Sequence, residues 1–389
     1  MEAAMVVAKL AKQPGGQAVI DAVGDDASVW LVGGAVRDLM LERTPTEIDL
    51  VVEGPLDALL ERLGGDAERF ERFGTATVRL GDLRIDLASS RSEVYRQPGA
   101  LPDVAAATLD EDLGRRDFTI NAIAVRITDG MVKADPEAFA DLALKTLRVL
   151  NPDSFLDDPT RLWRCARYST RLGFSVEPQT ALLAAAATPG AVSGERIGHE
   201  VWLALREPQP TAVFAALEEL NPAALPAGFC ASPHGLNEAL ELLGEDGRGD
   251  LLTLAACCEG VELQLLTRWL DYLGLAASDR DLVEISSRWV TAAPLRNAKS
   301  PAQIAAAARG APIEAVALCG GDNARRWIEE LRFVTLEISG DDLVAAGAQP
   351  GPAIGEGLQH ALDLTLDGKL AGRQQQLEAA LTRYEETVQ

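Results

Sequence analysis

Apolar and polar positions follow two rhythms along this chain, and the change falls near residue 145. Before it, strand-like and helix-like stretches alternate. Ser28–Val32 and Glu47–Val52 predict short strands, and Ala35–Glu42 predicts a helix between them. Thr75–Leu80 and Leu83–Ala88 predict a hairpin turning at Gly81-Asp82. Phe118–Arg126 begins in a helical pattern and ends in a strand-like run. From Pro159 onward the period is helical, in Thr160–Leu172, Gln179–Ala187, Thr211–Leu220, Leu236–Leu243, Leu251–Leu273 and Ala324–Phe333. Glu207-Pro208-Gln209-Pro210, Asn221-Pro222, Gly244 and Pro294 interrupt it, at no fixed repeat. The pattern predicts an α/β head followed by a long all-α remainder.

The composition narrows the function. With 47% apolar residues in 389, a sizeable core is affordable and global disorder is excluded. The net charge of −23 argues against a non-specific binder of nucleic acid or membrane surface. Any polyanionic partner must meet local basic groups. The five cysteines include no C-x-x-C pair, and there are three histidines, so neither a zinc site nor a disulfide framework is expected. Met1–Leu10 lacks the charged start and apolar run of a signal peptide, and no apolar run is long enough to span a membrane. A cytoplasmic location is the expectation.

Five stretches carry chemistry. In Leu31-Val32-Gly33-Gly34-Ala35-Val36-Arg37-Asp38, two glycines between a strand and a helix let backbone approach a phosphate, with Arg37 one turn in. In Glu47-Ile48-Asp49-Leu50, alternation puts both carboxylates on one face of a strand. Two such carboxylates repel unless a cation lies between them, and magnesium is the natural one; a solvated edge is the alternative. Asp86 can supply a third carboxylate or simply pair with Arg84. Arg115-Arg116 open a helix-like segment, where cations are disfavoured, so an anionic ligand would compensate. In Asp157-Asp158-Pro159-Thr160-Arg161, Asp158 is placed to cap a helix. Arg161, Arg164 and Arg167 recur every three residues along that helix, which suits a polyanion or a solvated face.

In this order the stretches resemble bacterial class II tRNA nucleotidyltransferases, the CCA-adding enzymes, and their poly(A) polymerase relatives. Arg115-Arg116-Asp117-Phe118-Thr119-Ile120-Asn121-Ala122, Arg171-Leu172-Gly173-Phe174, Glu195-Arg196-Ile197 with Glu200, and Gly340-Asp341-Asp342-Leu343 contribute to the likeness. It is dense over about 30–200 and returns at 338–370. The resemblance implies a polymerase β-like head with a five-stranded sheet and helical neck, body and tail in an elongated seahorse shape. The corresponding boundaries are 1–145, 146–205, 206–335 and 336–389. It implies that Glu47, Asp49 and Asp86 are catalytic and that Glu47 and Asp49 hold two Mg2+ ions. Gly33, Gly34, Arg37, Arg116, Arg164 and Arg167 would bind the nucleotide, while Asp158 and Arg161 select CTP and ATP by their exocyclic amines. The partner would be the tRNA 3′ end with its acceptor and elbow region, and no membrane.

One departure is plain: the family usually has Asp where this chain has Glu47, one methylene longer. Three readings are open. They are full CCA addition, a narrower product (CC, A or poly(A)), and a catalytically silent tRNA-binding protein. Arg91–Gly114 is the expected place of the flexible loop that helps the family's pocket re-form for ATP. Residues 1–200 carry −10 and residues 201–389 carry −13. The RNA grip should therefore rest on few phosphate contacts and be salt-sensitive.

Overall fold

The computed structural model describes residues 4–64, 66–70, 74–81, 83–188, 190–289 and 293–388. Its internal contacts divide the chain into two units, Met1–Ala224 and Leu225–Gln389. The division falls inside the expected 206–335 segment. The reason is that helix Pro210–Leu220 packs on helix Thr160–Leu172, where Phe214 meets Trp163 edge-on at 6.4 Å.

The first unit is built on a mixed sheet. Its strands are β1 (Val29–Val32), β2 (Ile48–Val52), β3 (Asp66–Phe70), β4 (Thr75–Leu80), β5 (Leu83–Ser89), β8 (Ile123–Arg126) and β9 (Val132–Ala134), in the order β3-β4-β5-β2-β1-β8-β9. Between β5 and β8, β6 (Arg91–Val94) and β7 (Asp103–Ala106) form a separate antiparallel pair. The main sheet has seven strands among the described residues rather than the five expected. The extra ones include β3 at one edge and β9 at the other, each paired antiparallel to its neighbour. The pair β2·β5 is parallel and sets Asp49 opposite Asp86. Trp30, Val32, Val51, Leu109, Leu113, Ala122 and Ala124 form one core cluster on the sheet.

The expected strands and the β4–β5 hairpin are present; Asp82 of the expected turn lies outside the described residues. Three expectations need correction. The helix expected at Ala35–Glu42 runs Gly33–Met40, so both glycines lie in its first turn. Arg115 and Arg116 do not open a helix. They follow the short helix Leu109–Gly114, which starts at a Thr108/Glu111 capping box, and their position is the C-terminal end that favours cations. A 3-10 turn, Thr119–Asn121, then leads into β8. Finally, Leu251–Leu273 is two helices, Gly249–Cys257 and Leu263–Tyr272. Gly260 in the break lies against Gly228, whose carbonyl would be 2.6 Å from an added Cβ. Glu262 then caps the second helix by accepting from the Gln264 and Leu265 amides.

The second unit is helical. Leu243, Leu252, Leu295, Val316, Ala324 and Ile328 belong to its larger core, and Leu343, Ala361 and Ala380 to a smaller one near the C-terminus. Helices Pro352–Leu366 and Gly372–Val388 approach closely at Gly357, where a Cβ would fall 2.5 Å from the Ala380 carbonyl. No helix among the described residues is long and apolar enough to cross a membrane.

Candidate active site

Alternation along β2 buries Ile48 and Leu50 in the core and leaves Asp49 on the other face, with exposed Glu47 just before the strand. Parallel pairing brings Asp86 alongside. One carboxylate oxygen from each of Glu47, Asp49 and Asp86 lies within 4.8 Å of the others. Asp86 also accepts from Thr77 Oγ1 at 2.6 Å and pairs with Arg84 at 3.0 Å, so it lies beside the other two carboxylates while bound to its own arginine. Burial pushes the Asp49 carboxyl up to about 7, Glu47's charge adds to the push, and Arg116 offsets part of it. Carboxylate oxygens in this number and closeness suit a hard divalent cation, whose charge would reverse that push.

The Gly33-Gly34 turn stands directly over this cluster. Gly33 has φ 64°, and a Cβ there would sit 2.8 Å from Arg116 Nη1 and 3.7 Å from Asp49 Oδ2. A Cβ on Gly34 would sit 3.5 Å from Arg37 Nη2 and 3.9 Å from Asp49 Oδ2. No side chain caps the helix Gly33–Met40, so its first N–H groups remain available to an anion. Arg116 reaches the same place, with Nη2 donating to Asp112 Oδ2 at 3.0 Å. Its buried Nε–H has no acceptor among the described residues.

The other arginines are bound to the protein's own groups. Arg37, 2% exposed, donates to Asn121 Oδ1 at 2.7 Å and to Asp38 at 2.9 Å. Asn121 donates to Asp117 Oδ1 at 2.9 Å, and Arg164 Nε donates to Asp117 Oδ2 at 2.8 Å. Arg167 pairs with Glu200 at 2.6 Å and with Glu207 at 3.3 Å. The arginine row thus meets a polyanion already present, made of Asp117, Glu200 and Glu207. Burial works against the Asp117 charge, yet Arg164, Asn121 and Arg161 together bring its carboxyl down to about 2. Tyr168 stands among these cations, with the guanidinium carbons of Arg37, Arg164, Arg167 and Arg171 all 5.1–6.0 Å from its ring centroid.

Asp158 does cap the helix, through one oxygen only. Oδ1 accepts from the Thr160 amide at 3.0 Å and from Thr160 Oγ1 at 2.6 Å, and it forms an ion pair with Arg196 Nη2 at 2.8 Å. Oδ2 has no partner among the described residues. Arg161 is held by Ser154 Oγ at 2.8 Å and the Arg115 carbonyl at 2.7 Å. It lines a cavity of about 290 Å3 with Glu93, Tyr95, Arg115, Asn151 and Asp157. The structure therefore groups Gly33, Gly34, Arg37, Glu47, Asp49, Asp86 and Arg116 in one cluster. Asp117 and Asn121 connect Arg37 to Arg164. Sequence reasoning missed Asp112, Glu93, Tyr95, Asn151 and Tyr168. Only Asp112 left a local signal, its spacing of three and four residues before Arg115 and Arg116.

Asp49 has a consequence for stability. Its carboxyl is raised in the fold from an unfolded value near ~3.9, so it favours folding most below that value. In a chelator, the melting temperature of the first unit should fall as pH rises from about 4 through 7. Mg2+ should raise it at pH 8 and leave it unchanged at pH 4, as read by scanning calorimetry.

A mixed sheet with carboxylates on adjacent parallel strands, beneath an uncapped Gly-Gly helix start, defines a nucleotidyl-transfer head. Residues 29–148 match the family model described as the Poly A polymerase head domain. The chain is 30% identical over 378 residues to the CC-adding tRNA nucleotidyltransferase of Deinococcus radiodurans, covering 93% of this chain and 90% of that protein. It is 31% identical over 404 residues to the A-adding tRNA nucleotidyltransferase of Geobacter sulfurreducens, covering 92% of this chain and 46% of that one. It spans about half the length of the A-adding relatives from that organism and from Halalkalibacterium halodurans. A solved CCA-adding enzyme in an apo form superimposes with a TM-score of 0.79 at 25% identity, covering 97% of this chain and 98% of that one. The chain belongs to the tRNA nucleotidyltransferase family.

Proposed function

We propose that the protein is a template-independent tRNA nucleotidyltransferase that completes tRNA 3′ ends with CCA from CTP and ATP. The observation that carries this reading is the carboxylate trio Glu47, Asp49 and Asp86 beneath Gly33-Gly34 and Arg116. Glu47, Asp49 and Asp86 would hold two Mg2+ ions, which when bound lower the pKa of an attacking hydroxyl and neutralise charge on the leaving pyrophosphate. The extra methylene of Glu47 is compatible with this, because its oxygen reaches the other two.

The chain's own residues bind and orient. The first amides of helix Gly33–Met40 and Arg116 Nη1 face the triphosphate, with Arg37 bordering that cradle. Arg164 lies beside it, and Arg167, locked between two glutamates, braces it from behind. Asp158 Oδ2 accepts from the exocyclic amine of cytosine or adenine, and Arg161 donates to ring acceptors on the same edge. Uracil and guanine place a carbonyl where the amine would be, which sets acceptor against acceptor. Side chains thus serve as the template.

A second reading keeps the chemistry and narrows the product to CC, A or poly(A), since relatives bear both A-adding and CC-adding names. The fuller product is supported by the presence of the segment Arg91–Gly114 at reasonable length, within which β6 and β7 pair. The partner is the tRNA 3′ end with its acceptor and elbow region, in the cytoplasm. Incubating the purified protein with Mg2+, labelled CTP or ATP and tRNA lacking its terminus tests the reading. Incorporation is expected, and none would refute it.

A further inference from the structure

We infer that Tyr168 is a positioning residue of the nucleotide site, whose hydroxyl holds Arg164 in the orientation that meets the incoming nucleotide. This deepens the proposed nucleotidyl-transfer reading and rests on it. Helix Thr160–Leu172 carries Arg164, Tyr168 and Arg171 at spacings of four and three, and so on one stripe. Tyr168 is 8% exposed, and its ring meets Phe118 edge-on at 5.8 Å. Packing therefore fixes the place of its hydroxyl before any ligand arrives.

Arg164 needs a second anchor. Its Nε and Nη2 both approach a single oxygen, Asp117 Oδ2, at 2.8 Å. Two donors converging on one acceptor make a pivot rather than a two-oxygen fork, so the guanidinium plane is free to swing about it. Tyr168 Oη removes that freedom by accepting from Arg164 Nη2 at 2.9 Å. Arg164 Nη1 is left with Glu200 Oε1 at 3.8 Å, beyond hydrogen-bond reach, and the side chain is 34% exposed. Arg164 thus keeps donors for a ligand while its plane is fixed. Its charge reaches the carboxylate trio, because burial pushes the Asp49 carboxyl up and Arg116 and Arg164 both work against that push. The face of the Tyr168 ring lies 5.2 Å from the guanidinium carbon of Arg37, whose Nη2 borders the Gly34 turn. Tyr168 therefore stands where the arginine of helix Thr160–Leu172 meets the arginine of helix Gly33–Met40.

The test is Tyr168→Phe in the full chain, with Mg2+, CTP or ATP, and tRNA lacking its terminus. This variant keeps the ring and its contact with Phe118 and removes only the hydroxyl; melting curves check that it folds. KM for CTP and for ATP should rise about ten-fold, as the loss of one hydrogen bond to a charged group does, and the equilibrium Kd for CTP should rise with it. kcat should stay within about two-fold, because a lost grip on bound nucleotide reads in KM. Repeated in an Arg164→Gln background, Tyr168→Phe should add less than about two-fold, since the residue it acts through is already gone. Unchanged KM and Kd in Tyr168→Phe overturn the inference. So does a fall in kcat at unchanged KM, the sign of a merely structural tyrosine, and so does a ten-fold effect that persists in Arg164→Gln. A wild type that binds CTP but transfers nothing refutes the proposed function, while the CTP affinities of wild type and Tyr168→Phe still decide the role of Tyr168.

Discussion

Asp49→Asn should reduce CMP and AMP transfer roughly 10^3-fold or more while making the protein harder to melt at pH 8 in a chelator. The two effects have one cause. Asp49 is pressed by burial and by Glu47 into a site where its charge is unfavourable without a cation, with its carboxyl near 7. Asparagine removes the charge at nearly constant volume, so the strain disappears and the apo fold gains stability. The same change removes a ligand oxygen from the trio with Glu47 and Asp86, and loss of one preorganised electrostatic group at a reacting centre costs about 10^2–10^3 in rate or more. A carboxylate with a merely structural role would show the opposite pairing, with stability lost and turnover kept. Steady-state incorporation and calorimetry on one preparation read both.

Asp117→Ala should lower the melting temperature of the first unit by on the order of 10 °C. Asp117 is 7% exposed and accepts from the Phe118 amide, Asn121 Nδ2 and Arg164. Removing it leaves Arg164 with Glu200 at 3.8 Å as its nearest carboxylate. It also frees Asn121, the residue that holds Arg37. Breaking a buried pair from one side costs about 3–5 kcal/mol, at roughly 2–4 °C per kcal/mol for a unit of this size. The acid limb should change as well. Asp117 titrates near 2 in the fold, below its unfolded value, so its contribution is complete above about pH 4 and disappears as pH falls through 2. Wild type should lose stability across that window, and Asp117→Ala should lose less. Calorimetry between pH 2 and 7 measures both curves.

The legible parts of the site are those set by neighbours in sequence. The strand, the paired glycines and the helix at residues 29–40 are contiguous, and period-two alternation is enough to put Glu47 and Asp49 on one face. The place of Asp86 is not local. It follows from the parallel pairing of β2 with β5, which requires β3 and β4 to be laid down on the far side first. Arg115 and Arg116 illustrate a readable signal overlooked. Thr108 and Glu111 have capping-box spacing, and they start the helix that ends at Gly114, which turns supposed helix-opening cations into helix-closing ones. The long apolar rhythm of Leu251–Leu273 concealed a break that depends on Gly228, thirty-two residues earlier than Gly260. Asn151 and Tyr168 carry no local signature, because an orphan acceptor or a ring among four guanidinium groups exists only after the chain has folded.

Alongside the net charge of −23, specific ion pairs order the charges near the site. Asp112, Asp117, Glu200 and Glu207 neutralise the arginines around the site, and the Arg116 Nη1 group stands beside the Gly33 turn. The charge total therefore says little about the local arrangement of charge at the site.

The central claim is tested most directly by sequencing the products formed on three tRNAs ending at the discriminator base, at C and at CC, with CTP, ATP and Mg2+. The account predicts that all three are converted to CCA ends, without extension beyond and without UMP or GMP. Addition confined to CC, to the terminal A or to a run of A would contradict the full-CCA claim while keeping the chemistry, and no addition to any of the three would contradict both.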